Sequence, residues 1–131
     1  MKKNPVVFFE IYANDPDKLG QFYTNLFEWA IEPIKGIDYR IMKTTETDAQ
    51  GMPSQGGING GMMRRPEGYE ERAWINYVLV KSVEEAVDRA QKLGASVVKG
   101  KSPVPGMGWF AMLTDPEGNL FAVWQPDTKA Q

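Results

Sequence analysis

The sequence predicts an α+β fold built from two successive βαβββ modules. Three observations carry that reading. Two capped, amphipathic helical segments sit at equivalent places in the two halves, short apolar strands surround each of them, and a charged, turn-rich stretch separates the halves. The modules are expected over about residues 4–65 and 72–126 of one domain spanning the chain.

The first strand is read over Val6 to Tyr12, with Val7, Phe9 and Ile11 on one face and Phe8, Glu10 and Tyr12 on the other. Asp15 then offers a cap and Pro16 suits the first helical position. Leu19, Phe22, Tyr23, Leu26 and Phe27 recur at helical spacing, which predicts a helix burying one aromatic stripe and ending near Trp29. Short strands follow at Ile31–Ile34 and Tyr39–Thr44, then a polar rim from Thr45 to Gln55. The run from Gly56 to Met63 reads as a strand built for close approach, and Arg64 to Glu71 as a linker.

The second half repeats the pattern. Trp74–Val80 is a strand, Ser82 and Glu85 have capping-box spacing, and Val83, Ala86, Val87, Ala90 and Leu93 form the helical stripe that Gly94 terminates. A strand at Ala95–Val98, a Pro/Gly loop from Lys99 to Gly108, and strands at Trp109–Leu113 and Leu120–Gln125 around the turn Asp115–Asn119 complete it. Leu19, Tyr23 and Leu26 fall on Ala86, Ala90 and Leu93 at one constant offset. Each module has a helix over one sheet face and leaves the other bare, so the bare faces must be covered by each other or by another chain.

Composition narrows the chemistry. The 131 residues carry 15 basic and 17 acidic side chains, so no basic field exists to collect phosphates and no nucleic acid partner is expected. The chain has no cysteine and no histidine. Disulfides, thiolate sites and the commonest general base and metal ligand are thereby excluded. The first apolar run is too short for a leader or a membrane span, so a cytoplasmic protein without a membrane partner is expected.

Three signatures together resemble the vicinal oxygen chelate superfamily of glyoxalase I, bleomycin-resistance proteins and extradiol dioxygenases. They are Asp15-Pro16 followed by Phe22-Tyr23 and Phe27-Glu28-Trp29, Val80 to Ala86 with Leu93-Gly94-Ala95, and Asp115 to Asn119. The resemblance implies paired βαβββ modules whose mixed sheets curl around a cavity, and a homodimer. It also implies where a metal-dependent member would hold its ion: at Phe8, near Ile75, and at Ala122. None of these side chains is a ligand, so no metal and no cofactor is expected.

The expected function is therefore that of a bleomycin-resistance-type binding protein. It would hold a small, partly aromatic molecule in a cavity lined by Phe8, Glu10, Tyr12, Tyr77, Trp109 and Trp124, with Trp74 a further candidate. Glu10 is the best catalytic candidate, as a desolvated base or a ligand anchor, against an ordinary hydrogen-bonded or ion-paired glutamate, with Arg40 as one candidate partner. The alternative is a metal-dependent or carboxylate-dependent lyase or isomerase of the glyoxalase type whose non-standard site draws on Glu10, Asp38, Gln55 or Gln125. The glycines from Gly56 to Gly61 lack the order of a phosphate cradle, and Asp115–Asn119 lacks the spacing of a calcium loop. Arg64-Arg65 and Lys99 to Lys101 read as solvated loops. Met42, Met52, Met62, Met63, Met107 and Met112 offer a deformable lining or ordinary core.

Overall fold

The computed structural model describes residues 3–50 and 52–131. In chain order the elements are β1 (Val6–Ala13), α1 (Pro16–Phe27), β2 (Ala30–Pro33), β3 (Tyr39–Lys43), β4 (Asn59–Arg64), β5 (Ile75–Leu79), α2 (Val83–Lys92), β6 (Ser96–Val104), β7 (Gly108–Thr114) and β8 (Leu120–Pro126). The architecture is α+β with βαβββ modules. The chain divides into two compact units, residues 8–74 and residues 75–131 together with the start of the chain.

In the first unit the strands lie in the order β2-β3-β4-β1, with β1 and β4 parallel and the other pairs antiparallel. Helix α1 starts where the Asp15 carboxylate accepts from Lys18 N–H at 3.2 Å, with Pro16 in its first turn. It stops at Phe27, before the expected Trp29, because Glu28 turns left-handed at φ 59° and donates its N–H to the Thr24 carbonyl. Phe9, Ile11 and Ala13 of β1, Met42 of β3 and Met62 of β4 form the buried core against Leu19, Tyr23, Trp29, Ile31 and Ile58. Burying a side chain such as Phe9 contributes about 1.5–3 kcal/mol.

The predicted aromatic stripe is only half buried: Leu19 and Tyr23 pack on the core, while Phe22, Leu26 and Phe27 remain exposed. Five residues at this spacing wrap a wider arc than the sheet covers, and Phe27 sits in the last turn. The glycine-rich run becomes a strand only from Asn59, and Arg64 ends that strand instead of opening a linker. Gly60 and Gly61 serve close approach on opposite faces. A Cβ on Gly60 would lie 2.5 Å from the Phe9 ring, and one on Gly61 would lie 1.8 Å from the Tyr39 hydroxyl. Arg64 and Arg65, expected as solvated loop residues, tie the strand end down: Arg64 donates to Asp38 and the Asn14 carbonyl, Arg65 to Asn14 Oδ1 and the carbonyls of Tyr12 and Glu71.

In the second unit the order is β5-β8-β7-β6, with β5 and β8 parallel and the rest antiparallel. Ser82 Oγ accepts from Glu85 N–H at 3.1 Å, and Gln125 Oε1, reaching in from β8, accepts from Val83 N–H at 2.9 Å. Two of the four unpaired N–H groups at the start of α2 are thus satisfied. Gly94, at φ 106°, follows its last turn. Val83, Ala111, Leu113 and Val123 form the core, with Trp109 and Phe121 packed against it. The Lys99–Gly108 loop of the sequence reading is in fact mostly β6, which pairs with β7 as far as Val104 through two register shifts. As an edge strand it tolerates Pro103. The β7–β8 turn is tied by Asp115 Oδ1, which accepts from Glu117 N–H at 2.9 Å and Asn119 N–H at 3.0 Å. Among the described residues no helix is long and apolar enough to cross a membrane.

Candidate functional site

Strand alternation puts Phe8, Glu10 and Tyr12 on the face of the first sheet opposite α1. The register sets Phe8 beside Asn59, Glu10 beside Gly61 and Tyr12 beside Met63, with Tyr39 opposite Met63 and Ile41 opposite Gly61 on the far side of β4. Glu10 is 8% exposed and is the one buried charged side chain among the described residues. Its Oε2 accepts a hydrogen bond of 2.8 Å from the Tyr39 hydroxyl. That bond spans β4, and it is possible because Gly61 has no side chain in the path.

The sequence reading left Glu10 either hydrogen-bonded or ion-paired and offered Arg40 as a partner; the hydrogen bond is present, but its donor is Tyr39. Adjacent strand residues point to opposite faces, so Tyr39 faces Glu10 while Arg40 turns away to Asp17 at 3.0 Å and Asp38 at 2.9 Å. Tyr39 itself was missed as a site residue. Two adjacent glycines inside a strand were the available signal, because they mark places where something large crosses the backbone.

Tyr12 is half buried and edge-on to Tyr69 at 5.8 Å. Burial, and next the Glu10 carboxylate, push its phenol above the usual tyrosine range, so it stays protonated at any physiological pH. A hollow of about 370 Å³ beside the first turn of α1 also has Tyr12 on its rim, with Leu19, Phe22 and Arg65.

In the second unit Tyr77 lies opposite Ala122, and Trp124 is flanked by Leu79 and Phe110, all on the sheet face away from α2. Lys99 sits over the Phe110 ring at 5.3 Å. Trp109 does not share this face. It pairs with Gln125 on the α2 side, packs on the Val83 cluster, and donates Nε1–H to Asp127 at 3.0 Å with Lys101 over its ring at 4.5 Å. That bond, first among the causes, holds the Asp127 carboxyl below its usual range. Trp74 likewise belongs to the aromatic cluster under α1, stacked on Phe9 at 5.0 Å.

The residues at the superfamily's metal positions do not fit a divalent ion. Phe8, Ile75 and Ala122 carry no nitrogen or oxygen donor in their side chains. Among the described residues no group of three or more acidic side chains gathers elsewhere. Of the alternative donors, Asp38 is engaged by Arg40 and Arg64, which hold its carboxyl below the usual range, and Gln125 caps α2. Gln55 is exposed. The methionines divide: Met42, Met62 and Met112 are buried, while Met52 and Met107 are exposed.

A family model described as "Glyoxalase-like domain" matches residues 6–124. The chain belongs to the glyoxalase-like domain family. This glyoxalase-like protein is also 26% identical over 124 residues to the protein named "Putative glyoxylase CFP32" from Mycobacterium tuberculosis and Mycobacterium bovis, a match that covers 92% of the chain. It spans 44% of the length of those relatives. Two solved structures share the fold. A glyoxalase/bleomycin resistance protein/dioxygenase superfamily member from Vibrio splendidus superposes with a TM-score of 0.61 at 14% identity, covering 95% of this chain and all of that one. Homoprotocatechuate 2,3-dioxygenase from Brevibacterium fuscum superposes with a TM-score of 0.65 at 16% identity, over 96% of this chain and 37% of that one. At these identities the likeness concerns the fold alone.

Proposed function

We propose that this glyoxalase-like protein binds a small, partly aromatic molecule without a metal ion, on the sheet face where Glu10 and Tyr39 pair. The observation that supports this most is the 2.8 Å phenol–carboxylate bond over Gly61. A buried carboxylate is costly unless hydrogen-bonded. A carboxylate offers about four acceptor positions, enough to hold Tyr39 and an N–H or O–H of a ligand at once. Phe8 and Tyr12 on either side supply apolar and aromatic surface for a flat group. In the second unit Tyr77 and Trp124 present the equivalent face, and Trp109 is not part of it.

One feature favours a second reading, that of a carboxylate-dependent isomerase or lyase. A buried Glu10 oriented by a phenol has the makings of a general base. Native mass spectrometry of protein purified without chelator, paired with metal analysis, tests the first reading. The expected result is a retained organic mass, no stoichiometric divalent ion, and loss of that mass in Glu10→Gln and Tyr39→Phe. A stoichiometric divalent ion, or a retained mass indifferent to both substitutions, overturns it.

A further inference from the structure

Helix α1 lines two hollows, and the cations in them are treated differently. One, of about 460 Å³ between α1 and β2, holds Arg40, whose charge is met by Asp17 at 3.0 Å and Asp38 at 2.9 Å. The other, of about 370 Å³, lies where β1 ends and α1 begins, and it holds Lys18 and Arg65. Among the described residues neither of these two side chains forms an ion pair.

Arg65 is held in place and left charged. Its Nε donates to Asn14 Oδ1 at 3.0 Å, and its terminal nitrogens donate to the carbonyls of Glu71 and Tyr12. All three acceptors are neutral, so they fix the guanidinium without cancelling its charge, and two of its five N–H groups are left over. The bond from Arg65 also orients Asn14, whose Nδ2 donates to nothing among the described residues. Lys18 adds an ammonium with three donors. The acid on the rim, Asp15, has Oδ1 engaged by Lys18 N–H at 3.2 Å. Two cations against one carboxylate leave a single surplus positive charge and a lining rich in donors. Beside them Leu19 and Phe22, the latter 55% exposed, supply an apolar wall.

We infer that this hollow is a binding site of its own, which takes a small monocarboxylate with a flat apolar body. A carboxylate only accepts, so it suits a rim that mostly donates, whereas a cation or a polyol would find few acceptors. Its single charge matches the surplus of one, while a phosphate dianion would not be balanced. A guanidinium already fixed by neutral acceptors loses little freedom when it binds an anion. The volume lies at the lower end of the range for small-molecule sites, which suits a ligand of one ring, and the open ring of Phe22 offers that ring a stacking surface. Neither Glu10 nor Tyr39 lines the hollow. The inference therefore stands apart from the sheet-face reading, although Tyr12 borders both.

Titration of phenylacetate into the full chain, followed by its amide resonances, tests the inference. Saturable shifts are expected at Asn14, Lys18 and Phe22, with half-saturation at about 1 mM. The neutral phenylacetamide and inorganic phosphate should each bind at least about tenfold more weakly. Lys18 is exposed and its cap uses the backbone N–H, so Lys18→Gln should stay folded and lose roughly tenfold in affinity. Tyr39→Phe should bind phenylacetate as the wild type does. No saturable shift at these three amides, equal binding of phenylacetamide, or unchanged affinity in Lys18→Gln would each overturn the inference. So would shifts confined to the strands around Glu10 and Tyr39 and abolished by Tyr39→Phe, which would assign the carboxylate to the sheet face instead.

Discussion

The hydroxyl of Tyr39 donates to the carboxylate of Glu10 at 2.8 Å, across a strand position where any side chain would block it. Because Glu10 is buried, removing the donor leaves charge with less solvation. Tyr39→Phe is therefore expected to lower the unfolding free energy by about 1–3 kcal/mol. In denaturant melts Glu10→Gln should soften that loss, since a neutral amide needs the donor less, and the two substitutions should be non-additive. Strict additivity would mean that the pair is not coupled.

Gly60 and Gly100 give a second contrast. Alanine at Gly60 would press into the ring of the buried core residue Phe9 at 2.5 Å, so the ring or the strand must shift. Its expected cost is about 1–3 kcal/mol. At Gly100 on the edge strand nothing lies within 4 Å of the added methyl. Alanine there should change stability by no more than about 0.5 kcal/mol. Equal melting shifts for the two variants would remove the packing explanation.

The pH dependence of the β7–β8 turn has a definite sign. Hydrogen bonds from Asn119, backbone first, depress the folded-state value of Asp115 below that of the unfolded chain. Its contribution is therefore present above about pH 3.9, the ordinary aspartate value, and is lost as pH falls through the depressed folded value. Asp115→Asn keeps an acceptor oxygen but does not titrate. The melting temperature of the wild type should fall toward, or below, that of the variant on acidification under about pH 4. A gap that stays constant through that range would contradict the assignment.

How much of this was readable in advance depended on whether a feature is local. Asp15, Ser82 and the Asp115–Asn119 turn act within a few residues of themselves, so their chemistry shows in the sequence. Alternation separated Phe9 and Ile11 from Phe8 and Glu10 because that strand mixes apolar and polar residues. The run Trp109-Phe110-Ala111-Met112-Leu113 is apolar throughout, so it carries no parity signal, and Trp109 fell on the helix side. Tyr39 lies 29 positions from Glu10, and only the parallel β1–β4 pairing with β3 alongside brings them together. Gln125 was weighed as a metal donor because nothing local shows that β8 ends beside the start of α2.

That placement of Gln125 yields the last prediction. Val83 N–H, at the first position of α2, lies too early for an intrahelical partner and depends on Gln125 Oε1 at 2.9 Å, whereas Ser82 serves Glu85 N–H two positions later. Val83 is fully buried, so water does not readily replace a lost partner. Gln125→Ala should cost about 1–3 kcal/mol, the usual range for an unsatisfied buried donor. Ser82→Ala should cost about 0.5–2 kcal/mol, the range for a lost cap. The two occupy different N–H groups of one turn, and fraying at either exposes the other, so the double variant should lose less than the sum. Amide exchange at Val83 reads the effect directly: it should accelerate strongly in Gln125→Ala and weakly in Ser82→Ala. Acceleration in the opposite order would assign the cap to Ser82 alone and return Gln125 to the pool of side chains whose role is open to other chemistry.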